Sequence, residues 1–481
     1  MNFSIVKRTL GWLLLFEGIF FLVPLLTAVI YLEEEFFSFL ITILLCGGLG
    51  GLCLIKKPKN SNIYAKEGFV IVALSWIVLS LFGALPFFFS GAISSYTNAL
   101  FETVSGFTTT GASILSGNQI ESMAKSLLIW RSFTHWVGGM GVLVLIMAFL
   151  PLSGGRNMHI MKAESPGPSV GKLVPKVRQT ALILYTIYFG LTVAEFILLL
   201  CGGMSAFDAL NTAFATAGTG GFGIKGDSIA SYNNYLQIVI TVFMLLFSLN
   251  FNSYYLIGKG RLKEAFNAEI RVFLVIVVSA ISLITLNLCL ADYGYSVGGA
   301  IKHASFAVSS IISTTGFATE DFALWPAFSQ TILVALIFIG ACAGSTGGGM
   351  KVSRHMILVK GGMHEVGRLI HPKQVKKITI DKRVVEHEVV RSVNAYLVAF
   401  VVVFVLSFLL ISIDGKDFTT SFTSVATTLN NVGPGLGGVG PSGNFAIYSD
   451  FSKFVFMFDM LAGRLEIFPM LVLFAPSTWR R

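Results

Sequence analysis

Strings of hydroxyl or amide side chains together with glycine occur at four points of the sequence, in a combination that suits a dehydrated cation. The first is the hexapeptide Thr108-Thr109-Thr110-Gly111-Ala112-Ser113. Altered copies follow at comparable intervals, which is the signature of an internal repeat: TAGT (216–219), STTGF (313–317) and NNVGP (430–434). Glycine permits the left-handed backbone that turns consecutive carbonyl oxygens toward a common axis. Carbonyls from four strands can replace the water shell of an ion about the size of potassium.

The elements that would position these strands are visible in the hydropathy. Each string follows an amphipathic segment that is too short to cross a membrane and is typical of a re-entrant half-helix. We place the four half-helices at 96–107, 205–215, 299–312 and 418–429. Ten longer apolar runs surround them, and we predict spans at 10–31, 36–55, 69–90, 125–150, 180–203, 233–258, 269–291, 327–345, 389–413 and 451–476.

Composition supports a membrane protein. Of the 481 residues, 54% are hydrophobic and 12% are charged, which a soluble domain with one buried core does not show. The formal charge of +9 does not indicate nucleic acid, because the basic residues lie between the apolar runs rather than on one face. Basic residues fall on one side if every span is crossed once: Lys7, Arg8, the connections 56–59, 156–178, 259–271 and 351–391, and Arg480 and Arg481. That side is expected to be cytoplasmic, and both termini are expected to lie on it.

The predicted fold is therefore an all-α polytopic membrane protein. An N-terminal two-helix hairpin (1–60) precedes four repeats of helix, pore loop and helix around one pseudo-fourfold pore. The repeats are expected at 61–155, 156–262, 263–385 and 386–481, and the second helix of the third is expected to be broken.

Backbone that leaves a helix inside a bilayer must be buried in protein or line a water-filled cavity. The four strings are therefore expected to meet. A half-helix that enters from outside points the partial negative charge of its C-terminal end inward, where it favours a cation. For a single copy an ordinary turn between helices is an equally good interpretation, but that interpretation does not explain four copies in the same setting.

Charged residues inside the apolar runs are costly and indicate function or pairing. Arg464 lies within the last run and is expected to face a cavity, although a helix-end arginine reaching the headgroups is the alternative. Arg131 and His135 share a helix face, and Arg131 is expected to anchor the first half-helix through Glu102. Attraction of cations at the pore mouth is the other role open to Glu102.

A glycine-rich string, GACAGSTGGGMK (340–351), interrupts the eighth apolar run. No helix runs through it comfortably, because glycine is a poor helix former. A flexible linker is one alternative. A phosphate-binding loop is another, but the string lacks the G-x-x-x-x-G-K-[ST] pattern and does not follow a strand.

Six strings resemble the Trk/Ktr/HKT superfamily of potassium transporters, and within it the TrkH type, the membrane subunit of bacterial Trk uptake systems. They are TTTGAS (108–113), TAGTGGFG (216–223), STTGF (313–317), NNVGPG (430–435), WRSFTHWVGGMG (130–141) and AGRLEIFP (462–469). The resemblance covers essentially the whole chain, including the N-terminal hairpin that Ktr-type members lack.

The resemblance implies gated, channel-like potassium uptake across a bacterial inner membrane. It assigns the filter carbonyls to Thr109, Thr110, Gly111, Thr216, Ala217, Gly218, Thr314, Thr315, Gly316, Asn431, Val432 and Gly433. Arg464 is implied as a barrier in the pore. The implied gate loop comprises Gly340, Gly344, Ser345, Thr346, Gly347, Gly348, Gly349 and Lys351. Glycine at 111, where sodium-preferring plant relatives have serine, implies potassium preference.

The resemblance also implies partners. These are membrane lipid, a second copy of the chain in a homodimer, and a cytosolic TrkA-like ring of nucleotide-binding subunits that would dock on the basic connection 351–391. Potassium, with rubidium and to a lesser extent sodium, is the expected ligand, and no cofactor is expected.

Two other classes of function were considered. A symporter that couples potassium to protons or sodium is the main alternative; parallel repeats nearly free of midplane carboxylates favour the channel-like path over it. An intramembrane enzyme would need a catalytic group or metal cluster in the spans, which His135 alone does not supply.

Overall fold

The computed structural model describes residues 1–56, 64–141, 177–291, 293–371, 377–381 and 383–479. Several sequence predictions therefore lie outside the described residues: the boundaries at 60 and 155, residues 142–150 of the fourth span, and the charged residues Lys57, Lys59, Arg156, Lys162, Lys172, Lys176, Asp292, Arg480 and Arg481.

The described chain is almost entirely helical, as predicted. Its first half contains α1 (Phe3–Phe20), α2 (Leu22–Tyr31), α3 (Phe36–Leu54), α4 (Ala65–Gly83), α5 (Leu85–Phe89), α6 (Tyr96–Phe107), α7 (Gly117–Glu121), α8 (Lys125–Gly139), α9 (Val177–Cys201), α10 (Ala206–Gly218), α11 (Asn234–Ser248), α12 (Phe251–Gly258) and α13 (Leu262–Ala265). Its second half contains α14 (Ala268–Leu290), α15 (Val297–Ile312), α16 (Ala327–Ile339), α17 (Val352–Ile370), the antiparallel strands β1 (Thr379–Ile380) and β2 (Arg383–Val384), α18 (His387–Ile411), α19 (Phe418–Asn430), α20 (Asp450–Arg464), α21 (Phe468–Phe474) and α22 (Pro476–Trp479). Short 3₁₀ turns lie at Phe322–Leu324, Ser412–Asp414, Gly437–Val439 and Phe445–Ile447.

The N-terminal hairpin packs through small residues. Helices α1 and α3 approach so closely at Gly11 and Gly50 that a Cβ on Gly50 would lie 2.9 Å from the carbonyl oxygen of Gly11. Small residues allow such backbone approach between helices in a membrane, where packing rather than the hydrophobic effect drives association.

The four half-helices are α6, α10, α15 and α19, each close to its predicted range. Three of them begin at a side-chain cap, which satisfies a backbone N–H that the helix itself leaves unpaired. Ser205 accepts from the N–H of Asp208, Ser296 from that of Gly299, and Asp417 from that of Thr420. The last turns of all four are buried, so their C-terminal ends lie inside the protein.

The long spans were predicted only in part. Among the described residues, six helical stretches are long and apolar enough to cross a membrane: Phe3–Tyr31, Phe36–Leu54, Lys66–Phe89, Arg178–Cys201, Ala268–Leu290 and His387–Asp414. The predicted run 233–258 is instead two helices, α11 and α12, bent by 92°. The run 451–476 is divided between α20 and α21, where Glu466 and Ile467 both have positive φ. Long apolar stretches flank both breaks, so the hydropathy averaged over each run did not reveal them.

The interior divides into two apolar cores. The larger joins the N-terminal hairpin with the first, second and fourth repeats, with Trp76, Trp130 and Phe247 fully buried in it. The smaller surrounds the third repeat and includes Phe273, Ile311 and Val432. Because Val432 belongs to the fourth string of the sequence, this core also holds that string in place.

Candidate functional site

Each half-helix ends in a strand of the same unusual conformation. The first residue of each strand is left-handed although it is not glycine, and the glycine two residues later also has positive φ. The pairs are Thr109 (φ 55°) with Gly111 (78°), Thr219 (55°) with Gly221 (73°), Thr314 (61°) with Gly316 (85°), and Asn431 (54°) with Gly433 (93°). A left-handed threonine is strained, and the surrounding packing must hold it.

The four strands touch one another in cyclic order. Each glycine lies against the carbonyl oxygen that precedes the glycine of the next strand, so a Cβ would collide with it. The distances from the ideal Cβ are 1.9 Å for Gly111 to Gly220, 2.0 Å for Gly221 to Thr315, 2.4 Å for Gly316 to Val432, and 2.7 Å for Gly433 to Thr110. Glycine is therefore required at all four positions, and the four strands form a closed ring.

The ring opens into one cavity of about 170 Å³. Gly111, Gly221, Gly316 and Gly433 all line it, so every strand contributes its glycine to the same space. Its wall also includes the exposed loop residues Ser116 and Ser442. Gly218, which the sequence assigned to the site, does not line this cavity.

The second strand corrects the sequence prediction by three residues. Thr216, Ala217 and Gly218 form the last turn of α10, and the hydroxyl of Thr216 donates to the carbonyl of Thr212 within that helix. The residues with the conformation of the other three strands are Thr219, Gly220 and Gly221. A Gly-Phe pair that 221–222 share with 316–317 carries this register in the sequence. The sequence prediction used the first glycine of the string, Gly218, and therefore missed this register.

The remaining predicted strand residues lie where they were expected. Hydroxyl pairs support the first and third strands from behind, with Thr108 Oγ1 2.8 Å from Thr110 Oγ1 and Ser313 Oγ 2.7 Å from Thr315 Oγ1. The fourth strand is tied to the first, because the side-chain amide of Asn431 donates to Thr110 Oγ1 at 3.0 Å.

A buried ion pair fixes the first two strands. Arg131 Nε lies 2.6 Å from Glu102 Oε1, and both side chains are almost fully buried. Glu102 also accepts from Ser113 and from the backbone N–H of Ile114, while Arg131 donates to the carbonyl of Gly223 at 2.9 Å. The structural role expected for this pair agrees with these contacts. Removing one partner of such a pair typically costs about 3–5 kcal/mol.

His135 joins the first half-helix to the second strand. Its Nδ1 lies 2.7 Å from the carbonyl oxygen of Gly106, and its Nε2 accepts from the N–H of Phe222 at 3.3 Å. These partners assign a neutral ring with the proton on Nδ1. The ring also fills the space beside Gly220, where a Cβ would lie 2.2 Å from Nδ1. Sequence reasoning placed His135 near Arg131 but missed this packing role.

The glycine-rich segment 340–351 lies directly beneath two of the strands. It interrupts the helix as predicted, since α16 ends at Ile339 and α17 begins at Val352. The N–H of Gly348 donates to Thr314 Oγ1 at 2.6 Å, and that of Gly349 donates to the carbonyl of Asn430 at 2.9 Å. Lys351 is buried, has φ of 76°, and donates through Nζ to the carbonyl of Gly347.

The same glycine-rich segment also contacts the break between α11 and α12 in the second repeat. The N–H of Cys342 donates to the carbonyl of Ser248 at 3.1 Å, and the N–H of Phe251 donates to that of Gly344 at 3.0 Å. Residues 248–251 are where α11 and α12 meet at 92°. At the bend, backbone groups that a continuous helix would have bonded internally bond to the glycine-rich segment instead.

Arg464 reaches across the same level from the fourth repeat. Its Nη1 donates to the carbonyl of Thr346 at 2.9 Å, and its Nη2 donates to the carbonyls of Gly138 and Gly139 at 2.5 and 2.6 Å. The guanidinium therefore joins the end of α8 to the glycine-rich segment. The headgroup alternative does not fit these contacts.

Three further carboxylates lie inside the helices and were overlooked in the sequence. Glu17 on α1, Glu195 on α9 and Asp459 on α20 are fully buried. Asp459 accepts from the hydroxyl of Ser407 at 2.6 Å, and Glu195 lies beside the hydroxyl of Thr216. Among the described residues, neither carboxylate oxygen of Glu17 has a hydrogen-bond partner. Two of them, Glu195 and Asp459, belong to the repeats, which were expected to be nearly free of midplane carboxylates. Each stands alone in an apolar run of the sequence.

Within the described ranges, no group of three or more His, Cys, Asp or Glu side chains could hold a metal ion. His355, His364, His371 and His387 of the basic connection are spread over α17 and the residues up to the start of α18.

Long apolar helices, four buried half-helices and a closed ring of four glycine-containing strands define a polytopic α-helical membrane protein. The family described as "Cation transport protein" (TrkH) matches residues 34–481. The chain belongs to this TrkH family.

Similar proteins span the full length of the chain. The Trk system potassium uptake protein TrkH of Escherichia coli K12 is 38% identical, with both chains covered completely. TrkG of the same organism is 34% identical and covers 99% of this chain and 98% of its own. The crystal structure of the potassium transporter TrkH from Vibrio parahaemolyticus aligns with a TM-score of 0.89 at 35% identity, over 100% of both chains.

Proposed function

We propose that this protein takes up potassium across the bacterial inner membrane through a gated, channel-like pore. The selectivity filter consists of backbone carbonyls of Thr109–Gly111, Thr219–Gly221, Thr314–Gly316 and Asn431–Gly433. The second range replaces Thr216, Ala217 and Gly218. The observation that carries this proposal is the closed ring, in which each glycine meets the carbonyl of the next strand. The names of the full-length relatives, which are potassium uptake proteins, supply the ion.

The charge of the site supports a cation. The C-terminal ends of α6, α10, α15 and α19 converge on the ring, and each brings a partial negative charge. The carbonyl oxygens offer a dehydrated ion several ligands at once, which is how potassium filters replace hydration water. The hydroxyl pairs behind the first and third strands keep those strands from collapsing when no ion is bound.

The gate is proposed to be the segment 340–351, with Arg464 as a fixed positive charge beside it. The segment is hydrogen-bonded to Thr314 and Asn430 directly below the ring. Arg464 binds its Thr346 carbonyl. A cation leaving the ring would meet both the backbone of the segment and the guanidinium, so conduction requires the segment to move.

Topology and partners follow from the same proposal. Both termini lie in the cytoplasm, because the basic connections then share that side. Membrane lipid surrounds the long apolar helices, and the chain forms a homodimer. A TrkA-like ring of nucleotide-binding subunits docks on the basic connection, where the second half of α17 exposes Val359, Met363 and Val366. The nucleotide binds the ring rather than this chain.

A potassium symporter remains the second candidate, and one observation favours it. Glu17, Glu195 and Asp459 are carboxylates buried inside membrane helices, where protonatable groups commonly serve proton relays. None of them lines the cavity of the ring, so the channel-like path is the better supported of the two.

Rubidium-86 uptake into liposomes that contain the purified protein tests the proposal. Uptake should be competed by potassium and rubidium, and more weakly by sodium. Protein-free liposomes and the Gly111→Ser variant are the controls. Absence of protein-dependent uptake under every condition, or equal competition by all cations, would overturn the proposal.

A further inference from the structure

Glu269 makes contacts that no pore function requires of it. It lies in the first turn of α14 and is only 9% exposed. Its Oε1 accepts from the N–H of Ala343 at 2.7 Å and from the N–H of Ser353 at 3.2 Å. These two residues lie near the start of the glycine-rich segment and just past its end. One oxygen atom therefore holds both sides of the segment.

The segment needs such a restraint. Five of its twelve residues are glycine, so ordering it costs more conformational entropy than ordering most loops of the same length. Lys351, at its end, is held in a left-handed conformation that a residue with a side chain rarely adopts. Charge-assisted bonds from backbone N–H groups to a carboxylate are among the strongest hydrogen bonds in proteins and offset this cost.

Glu269 is itself rigidly placed. Asn267 caps α14 by accepting from the N–H of Ile270 at 3.0 Å. Asp381, in the turn between β1 and β2, accepts from the N–H of Ala268 at 2.9 Å and pairs with Arg271 at 3.1 Å. The start of α14, which carries Glu269, is therefore attached to the hairpin that follows α17.

We infer that Glu269 is the positioning residue that keeps the segment 340–351 closed beneath the ring. It touches no conducting atom and acts only by accepting both N–H bonds. This inference rests on the proposed gate, but the position of the segment can be measured without ion flux, because Cys342 lies within it and is fully buried.

The variants separate the hydrogen bonds from the charge. Glu269→Ala removes both bonds, and Glu269→Asp is one methylene too short to reach both donors. Glu269→Gln keeps an oxygen at the same place without the charge. Glu264→Ala is the matched control, because Glu264 is an exposed carboxylate on α13 that pairs only with Arg261 among the described contacts.

The first measurement is maleimide labelling of Cys342 in a background where Cys46, Cys53, Cys201 and Cys289 are alanine. Loss of two charge-assisted bonds should raise the labelling rate roughly tenfold or more in Glu269→Ala, and less in Glu269→Asp. Glu264→Ala should label at the parent rate, and Glu269→Gln at a rate between those of the parent and Glu269→Ala, because its amide oxygen still accepts both bonds but without charge assistance. Equal labelling of Glu269→Ala and its parent overturns the inference, as does labelling of Glu269→Gln that is as fast as that of Glu269→Ala. If Glu269→Ala does not fold, a parent rate in Glu269→Asp overturns it.

The second measurement is rubidium leak from liposomes without any activating partner. Glu269→Ala should leak faster than the parent, while the competition between potassium and sodium stays unchanged because the ring is intact. A parent protein that conducts under no condition refutes the proposed function, while the labelling result still decides whether Glu269 positions the segment. Conversely, a normal leak and normal labelling in Glu269→Ala refute the positioning role of Glu269 and leave the proposed function standing.

Discussion

At the scale of single residues, the glycines of the ring are among the most constrained positions in the described part of the protein. Gly221 combines a φ of 73° with a carbonyl oxygen 2.0 Å from where its Cβ would be. Ala217 takes the place of Gly220 in the register that the sequence first suggested. It lies within the last turn of α10. The two positions therefore distinguish the register that the structure gives from the one that the sequence first suggested.

We predict that Gly221→Ala lowers the preference for potassium over sodium by roughly tenfold or abolishes uptake, because the Cβ must displace Thr315 from the ring. Gly111→Ser should lower it too, through the carbonyl of Gly220. Ala217→Gly should leave the preference unchanged and cost only about 0.5–1 kcal/mol of helix stability. Rubidium uptake competed by each cation measures the ratio, with Gly190→Ala as a control because a Cβ there meets nothing within 4 Å. A changed ratio in Ala217→Gly with a normal one in Gly221→Ala would favour the earlier register.

Arg464 is the second decisive residue, because it donates to three carbonyls that belong to two different elements. We predict that Arg464→Ala increases rubidium flux several-fold, since both the positive charge and the attachment to Thr346 are lost. Arg464→Lys should give an intermediate flux, because an ammonium keeps the charge but cannot reproduce the planar donor arrangement. Rubidium flux into liposomes that contain the parent or one of these variants tests this prediction. Unchanged conductance in Arg464→Ala would remove Arg464 from the barrier.

At the scale of elements, the interruptions of the second helices matter more than the helices themselves. The bend at 248–251, the segment 340–351 and the break at 465–467 all expose backbone groups near the ring. Each break receives a partner from another repeat, as when Phe251 binds Gly344 or Arg354 pairs with Glu466. The elements beneath the ring are thus held together by contacts between repeats, and a change in one is transmitted to the others.

Shortening the segment by deleting 345–349 tests its role as the gate. The deletion removes the N–H groups that bind Thr314 and Asn430, together with the carbonyl that Arg464 binds. We predict a constitutively leaky protein. Liposome flux measures the leak, and gel filtration of the purified variant checks that it is folded. Normal gating after the deletion would contradict the assignment.

At the scale of the whole molecule, the question is whether the buried carboxylates couple transport to protons. Glu17, Glu195 and Asp459 lie on helices of different repeats or of the hairpin, and none lines the cavity of the ring. Isolated in this way, they do not form a relay of neighbouring groups across the described part of the protein. This arrangement favours a passive path.

We predict that rubidium uptake into liposomes proceeds without an imposed proton gradient, and that Glu17→Gln, Glu195→Gln and Asp459→Asn retain it. The amides preserve the volume of each side chain and remove only the ability to ionise. Uptake with and without a gradient, in the parent and in each variant, measures the coupling. Flux that requires the gradient and disappears in one of these variants would establish the symporter instead.

The sequence by itself determined the parts that depend on local composition. Apolar runs gave the membrane helices, short amphipathic segments gave the half-helices to within a few residues, and the glycine-rich string gave the break before α17. Glu102 and Arg131 were paired correctly, because a buried charge inside an apolar run requires a partner.

Only the tertiary structure decided what depends on contacts between repeats. The register of the second strand is set by the fit of Gly221 against Thr315. The Gly-Phe pair at 221–222 agrees with this register, but the sequence equally offers Gly218, and only the contact decides between them. The break at 248–251 is stabilised by backbone partners from the third repeat, and the break at 465–467 by the pairing of Glu466 with Arg354. Hydropathy does not detect such partners. The contact of Glu269 with Ala343 and Ser353 likewise joins residues more than seventy positions apart, so it exists only once the third repeat has folded.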